Sequence, residues 1–100
     1  MTKGSKLWER AKEVIPNGNM LFSKHPAMFL PERWPTFFSK AMGCEIWDLE
    51  NTRYIDMSIM GVGTNILGYG HPEVDKAVRQ AIGNGNVSTL NCPEEVYLAE

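Results

Sequence analysis

The sequence has little of what several protein classes require. Only two cysteines occur in the 100 residues, Cys44 and Cys92, and no CxxC spacing joins them to further thiols. A disulfide framework or a zinc site therefore has no support, and the expected compartment is a reducing cytoplasm. Basic residues never form a run longer than two, and Lys plus Arg (10) are outnumbered by Asp plus Glu (12), a net charge of -2. This balance excludes the cationic footprint that phosphate-backbone binding demands, so no nucleic-acid partner is expected. Long apolar runs are missing as well. The opening MTKGSKLWERAKEV mixes charge into its apolar positions, which excludes a signal-peptide core, and no stretch is long enough for a membrane span. The length sets the remaining bound: a chain of this size makes at most one ordinary domain. It buries roughly 60 to 68% of its unfolded surface, so a real but modest core is expected.

What is present has clear periodicity in places. Leu7, Trp8, Ala11, Val14 and Ile15 form one stripe at helical spacing, with Lys6, Glu9, Arg10, Lys12 and Glu13 opposite, which predicts an amphipathic helix over residues 5–15. Pro16-Asn17-Gly18 ends it, because Pro cannot donate the next ladder bond and Asn or Gly accepts a left-handed turn. Residues 16–36 follow as an irregular but apolar segment. Pro26, Pro31 and Pro35 interrupt Met20, Leu21, Phe22, Met28, Phe29, Leu30 and Trp34, so regular structure is excluded while the apolar character is not. A loop of this kind between 19 and 36 needs a surface, and a subunit or domain outside this chain is the expected one; the alternative is that it closes over the chain's own small core.

Strand formers fill 37–57, as Phe37 to Ala41, Cys44 to Asp48 and Arg53 to Met57 around a turn at Leu49-Glu50-Asn51-Thr52, a hairpin or meander of open register. A glycine-rich turn at 60–70 comes next. Pro72 at the first helical position, Glu73 and Asp75 in the first turn, and Val74, Ala77, Val78, Ala81 and Ile82 at helical spacing predict a helix over 72–82 that Gly83 ends. After the turn Gly83-Asn84-Gly85-Asn86, Asn91 stands three residues before Glu94 and Pro93 opens a further helix over 93–100. That helix has no stop signal, so the natural chain is expected to continue past Glu100. The fold class is α/β in the broad sense, a mixed α+β fragment.

Chemistry is harder to find. Gly63 and Gly68 have P-loop spacing, but Tyr69 stands where the Lys of GK[ST] belongs. Gly61-Val-Gly63-Thr-Asn-Ile fails the dinucleotide pattern at its sixth position. The glycines are thus left with close backbone approach to a ligand or to another chain. His25 and His71 each stand alone, without a second ligand at metal spacing, and a cap or a packed ring accounts for His71. Asp48, Glu50, Asp56, Glu73 and Asp75 fall in turns and helix starts that solvation and dipole effects explain. Ser58 and Ser88 lack a nucleophile elbow. No catalytic, cofactor-binding or metal residue follows from the residues themselves.

Taken together, Leu7-Trp8-x-Arg10-Ala11 through Pro16-Asn17-Gly18, Trp47-Asp48, Arg53-Tyr54-Ile55-Asp56, Gly68-Tyr69-Gly70-His71-Pro72-Glu73-Val74 and Leu98-Ala99-Glu100 resemble the amino-terminal portion of class III pyridoxal-phosphate aminotransferases. The glutamate-1-semialdehyde 2,1-aminomutase branch is the nearest in pattern. The resemblance spans nearly the whole chain in order. It implies the amino-terminal helix and small-domain strands of a type I pyridoxal-phosphate fold, a homodimer, a small amino or carbonyl substrate, and pyridoxal 5'-phosphate held by the portion beyond residue 100. The Schiff-base Lys lies there too, so this stretch alone is expected to be inactive. The resemblance also implies substrate-binding positions. Lys24 matches the Arg that grips the substrate carboxylate, and Met60-Gly61 match a Trp-Gly before the glycine-rich turn, with one residue extra before Gly68. Lys offers a point charge where Arg offers a fork, and Met replaces an aromatic wall with an adaptable one. An aminotransferase for a sugar or another carbonyl compound fits these departures as well as the aminomutase does. The reading from a different class is a free-standing, non-catalytic interaction module that uses the apolar segment 19–36.

Overall fold

A computed structural model describes residues 1–30, 32–85 and 87–100. It divides into two units, Met1–Tyr69 and Gly70–Glu100. The first unit opens with α1, Lys3–Val14. Thr2 caps it, its Oγ1 accepting from the Ser5 N–H at 3.0 Å, which satisfies one of the free donors of the first turn. At the other end the Ile15 N–H donates to the Ala11 carbonyl at 2.9 Å before Pro16 stops the ladder. The chain then folds back under the helix. Asn17 and Gly18 both take positive φ, 60° and 79°, and Gly18 is buried against the Trp8 ring. Trp8 also meets His25 edge to face, with centroids 5.1 Å apart. The described part of the apolar segment contains only short 3₁₀ turns, Pro16–Gly18, Phe22–Lys24 and Pro26–Met28. Phe29 and Trp34 stack at 4.1 Å and 8°. Pro31 lies outside the described residues.

Three antiparallel strands in the order β1-β2-β3 complete this unit: β1 Phe38–Met42, β2 Glu45–Asp48 and β3 Arg53–Ile55. The register pairs Ala41 with Ile46 and Ile46 with Tyr54, and it slips between Phe38 and Lys40. At the slip the Ser39 hydroxyl donates to the Asp48 carbonyl at 2.8 Å. Strand pairing begins one residue after Phe37 and stops at Ile55, short of Met57. The reason for the early stop is local: the Asp56 carboxylate accepts from the Ser58 N–H at 2.8 Å, a turn that draws the backbone off the ladder.

In the second unit α2 runs Pro72–Gly83, with Pro in its first turn and Glu73 and Asp75 near its positive end. His71 occupies the cap position, but its side chain makes no capping bond. Gly83 is the last helical residue rather than the stop; Asn84 caps the helix and Gly85 takes the left-handed turn at φ 88°. Asn86 lies outside the described residues. The third helix, α3, spans Glu94–Ala99 and starts from Pro93, with no side-chain cap. The expected Asn91 cap is thus corrected: Pro93 already has helical angles, φ -67° and ψ -24°, which puts Asn91 outside the cap position.

The expected core is corrected too. Among the described residues Ala11, Gly18 and Pro26 are the buried non-polar ones, all of them small, and no large side chain is fully buried. Met20 and Leu98 are each 89% exposed and Phe22 69%. The apolar segment therefore does not close over a core of this chain.

Candidate functional site

Three regions bear on function: the glycine-rich loop, Lys24 and one open groove. The loop between β3 and Tyr69 is clasped at its base. The Asp56 N–H donates to the Cys44 carbonyl at 2.8 Å, and Gly43 and Tyr69 exchange both backbone bonds, at 2.8 and 2.9 Å. A Cβ on Gly68 would meet the Gly43 backbone at 3.3 Å, so glycine at 68 allows the two chains to approach this closely. The Tyr69 hydroxyl donates to Asp56 Oδ2 at 2.5 Å. Burial and then this bond push the Tyr69 phenol up to about 12. Burial would raise the Asp56 carboxyl, but the bonds from Ser58 and Tyr69 outweigh it and hold the group below its ordinary value.

At the tip of the loop the backbone turns left-handed for four successive residues. Met60, Gly61, Val62 and Gly63 have φ of 46°, 70°, 63° and 79°. The Gly63 N–H donates to the Ile59 carbonyl at 2.6 Å, closing one left-handed turn. Such angles are natural for glycine and costly for Met60 and above all for β-branched Val62. Asn65 and Thr64 brace the turn from below, through Asn65 Nδ2 to the Met60 carbonyl at 3.4 Å and Thr64 Oγ1 to the Gly61 carbonyl at 2.7 Å. Met60 and Gly61 are half-buried at this tip.

Lys24 ends the 3₁₀ turn Phe22–Lys24 and is exposed. Its ammonium has no ion pair among the described residues, whereas Lys12 and Arg53 pair with Glu9 and Glu45. None of Lys24, Met60 and Gly61 lines the groove of about 770 Å³ that lies between α1, the segment 32–37 and the β2–β3 turn.

That groove was not legible from spacing, because its walls come from three separate stretches. Trp8, Trp34 and Tyr54 supply aromatic surface, and Glu9, Glu32, Asp48 and Glu50 stand against Arg33. Asp48 organises the turn beneath it. Its Oδ1 accepts from the Glu50 and Thr52 N–H groups at 2.9 and 2.8 Å and its Oδ2 from the Tyr54 hydroxyl at 3.0 Å. Desolvation pushes this carboxyl upward, and these donors more than reverse it. A groove with four carboxylates and one guanidinium repels a phosphate monoester, so it does not fit pyridoxal phosphate. Among the described residues no group of His, Cys, Asp and Glu could hold a metal ion, and no helix is long and apolar enough to cross a membrane.

No protein-family model matches the chain. Individual proteins do. The chain is 36% identical over 99 residues to glutamate-1-semialdehyde 2,1-aminomutase of Desulfovibrio desulfuricans, covering 99% of this chain and 23% of that protein. It is 34% identical to the aminopentol aminotransferase of Sphingopyxis macrogoltabida, covering 97% and 22%. The structure of the pyridoxal-phosphate internal aldimine form of the Sphingopyxis sp. MTA144 FumI protein superposes with a TM-score of 0.84 at 34% identity, over 99% of this chain and 23% of that one. The chain matches an amino-terminal portion of a class III pyridoxal-phosphate-dependent aminotransferase. The chain spans less than a quarter of the length of the relatives it matches. The mixed helices and small antiparallel sheet are the fold expected from the resemblance. The relatives are enzymes that use pyridoxal phosphate.

Proposed function

We propose that the protein to which this chain belongs is a pyridoxal-phosphate-dependent aminotransferase or aminomutase acting on a small amino or carbonyl compound. The observation that carries this reading is the agreement of sequence and fold over 99% of the chain with a pyridoxal-phosphate protein. The cofactor, when bound, supplies the electron sink that stabilises a carbanion next to nitrogen. The acidic groove does not fit it, so this reading places the Schiff-base Lys and phosphate site outside these 100 residues and expects residues 1–100 alone to have no transaminase activity.

The role of this portion is substrate recognition. Lys24, exposed and free of any ion pair among the described residues, provides a cation for a substrate carboxylate or other anionic group. Met60 and Gly61, on the braced left-handed tip, provide adaptable apolar surface for the same substrate. A second substrate class is supported by one relative, an aminopentol aminotransferase, in keeping with Met60 in place of a rigid aromatic. The protein is further proposed to be a cytoplasmic homodimer, with the apolar segment 19–36 covered by the rest of the enzyme or its partner subunit.

The test is Lys24→Ala in the full-length enzyme. Substrate KM rises roughly tenfold, the loss of about 1.4 kcal/mol expected for one charge-assisted contact, while the cofactor's visible absorbance stays the same. An unchanged KM removes Lys24 from the site. Absence of any bound cofactor in the unsubstituted enzyme would overturn the activity itself.

A further inference from the structure

Asn-Gly occurs twice in this sequence, at Asn17-Gly18 and Asn84-Gly85. The dipeptide has a chemistry of its own because glycine, lacking Cβ, lets its backbone nitrogen reach the asparagine side chain. That nitrogen attacks Cγ, the bond from Cγ to the side-chain amide nitrogen breaks, and ammonia leaves from a closed five-membered imide. Water then opens the ring at either carbonyl to give aspartate or iso-aspartate. No reactant besides water is needed.

The two sites differ in their freedom to make this motion. The glycine N–H must leave its hydrogen bond and the peptide must rotate. At the first site the Gly18 N–H is tied to the Ile15 carbonyl at 2.8 Å. The glycine is also buried, with the Trp8 ring at 2.5 Å from where a Cβ would stand. At the second site the Gly85 N–H donates to the Ile82 carbonyl at a longer 3.1 Å. Among the described residues nothing lies within 4 Å of a Cβ built on Gly85, and within residues 1–100 Asn84 is exposed at the end of α2.

We propose that Asn84 is a spontaneous deamidation site and that the packing of Gly18 protects Asn17. The consequence falls on α2. Asn84 is its C-cap residue, and the last turn carries no basic side chain. A new carboxylate there faces the negative end of the helix dipole without compensation. Iso-aspartate also inserts a methylene into the backbone at the cap, where Asn84 and Gly85 donate to the Ala81 and Ile82 carbonyls. The modification is thus a slow, irreversible loosening of the end of α2.

Ageing the full-length protein in neutral buffer, then mapping it with trypsin, tests this. Cleavage after Lys12, Lys24 and Arg79 places the two asparagines on separate peptides, Glu13–Lys24 and the one beginning at Gln80. Aspartate and iso-aspartate are expected in the Gln80 peptide at several times their level in Glu13–Lys24, and at similar levels in both when the protein is aged in denaturant. Amide exchange near Ala81 and Ile82 should rise in the aged protein and not in aged Asn84→Ser. Equal conversion of both sites in the native protein, faster conversion at Asn17, or a preference for Asn84 that persists in denaturant would overturn the assignment.

Discussion

Trp8, Gly18 and Tyr69 show how single residues hold the described structure. Gly18 has a positive φ and the Trp8 ring against it, so Gly18→Ala meets both a backbone and a steric penalty. It should lower stability by about 2 kcal/mol in denaturant unfolding of the full-length protein. Tyr69 yields a prediction in pH. Its phenol is raised to about 12, above the value near 10 of an unfolded tyrosine. Its bond to Asp56 therefore stabilises fully below about pH 10 and is lost as pH climbs through the folded value. Asp56 acts at the acid end with the opposite sign. Its folded carboxyl lies below the ordinary range, so its contribution is complete above about pH 4 and disappears as pH falls through the folded value. Tyr54, bonded to Asp48, is also raised, so ultraviolet titration of the native protein should show late tyrosine ionisation extending to about 12, and Tyr69→Phe should remove the latest step. Neither tie was legible in the sequence, because Asp56 and Tyr69 are joined only when β3 and the residues after the loop lie beside the β1–β2 turn.

At the scale of elements, the periodic segments were the readable ones. Leu7, Trp8 and Ala11 repeat at helical spacing and lie on α1, and Val74, Val78 and Ile82 lie on α2, since amphipathic spacing is local information. The loop tip was not readable. Four glycines signal freedom without fixing a hand, and nothing in Met60-Gly-Val-Gly63 announces that both Met60 and Val62 turn left-handed. That strain gives a prediction. Val62→Gly removes a β-branched residue from the left-handed region and should raise stability slightly, by about 0.5 kcal/mol after the entropy of glycine is subtracted. The Asp48 turn gives another. Asp48→Ala leaves the Glu50 and Thr52 N–H groups and the Tyr54 hydroxyl without their acceptor, so hydrogen exchange at those two amides should accelerate and the unfolding midpoint should fall. Protected amides in Asp48→Ala would mean that the strands alone hold the turn.

On the scale of the whole molecule, the decisive feature is the lack of a core. More than twenty large apolar side chains among the described residues are exposed. Burying each one stabilises by roughly 1.5 to 3 kcal/mol, and a folded domain has only about 5 to 15 kcal/mol of net stability. Leaving them in water is not how an independent domain of this size persists. The proposed function accounts for this by having the apolar faces of these helices and strands covered by the rest of the enzyme, in keeping with a chain that spans less than a quarter of its relatives. Residues 1–100 produced alone should bind a hydrophobic dye and lack a cooperative unfolding transition. A sharp two-state transition would instead support an independent interaction module. The most direct test of the central claim is the intact mass of the protein isolated from its natural source. An enzyme portion predicts a mass several times that of a 100-residue chain, and a natural protein with the mass of these 100 residues alone would contradict it.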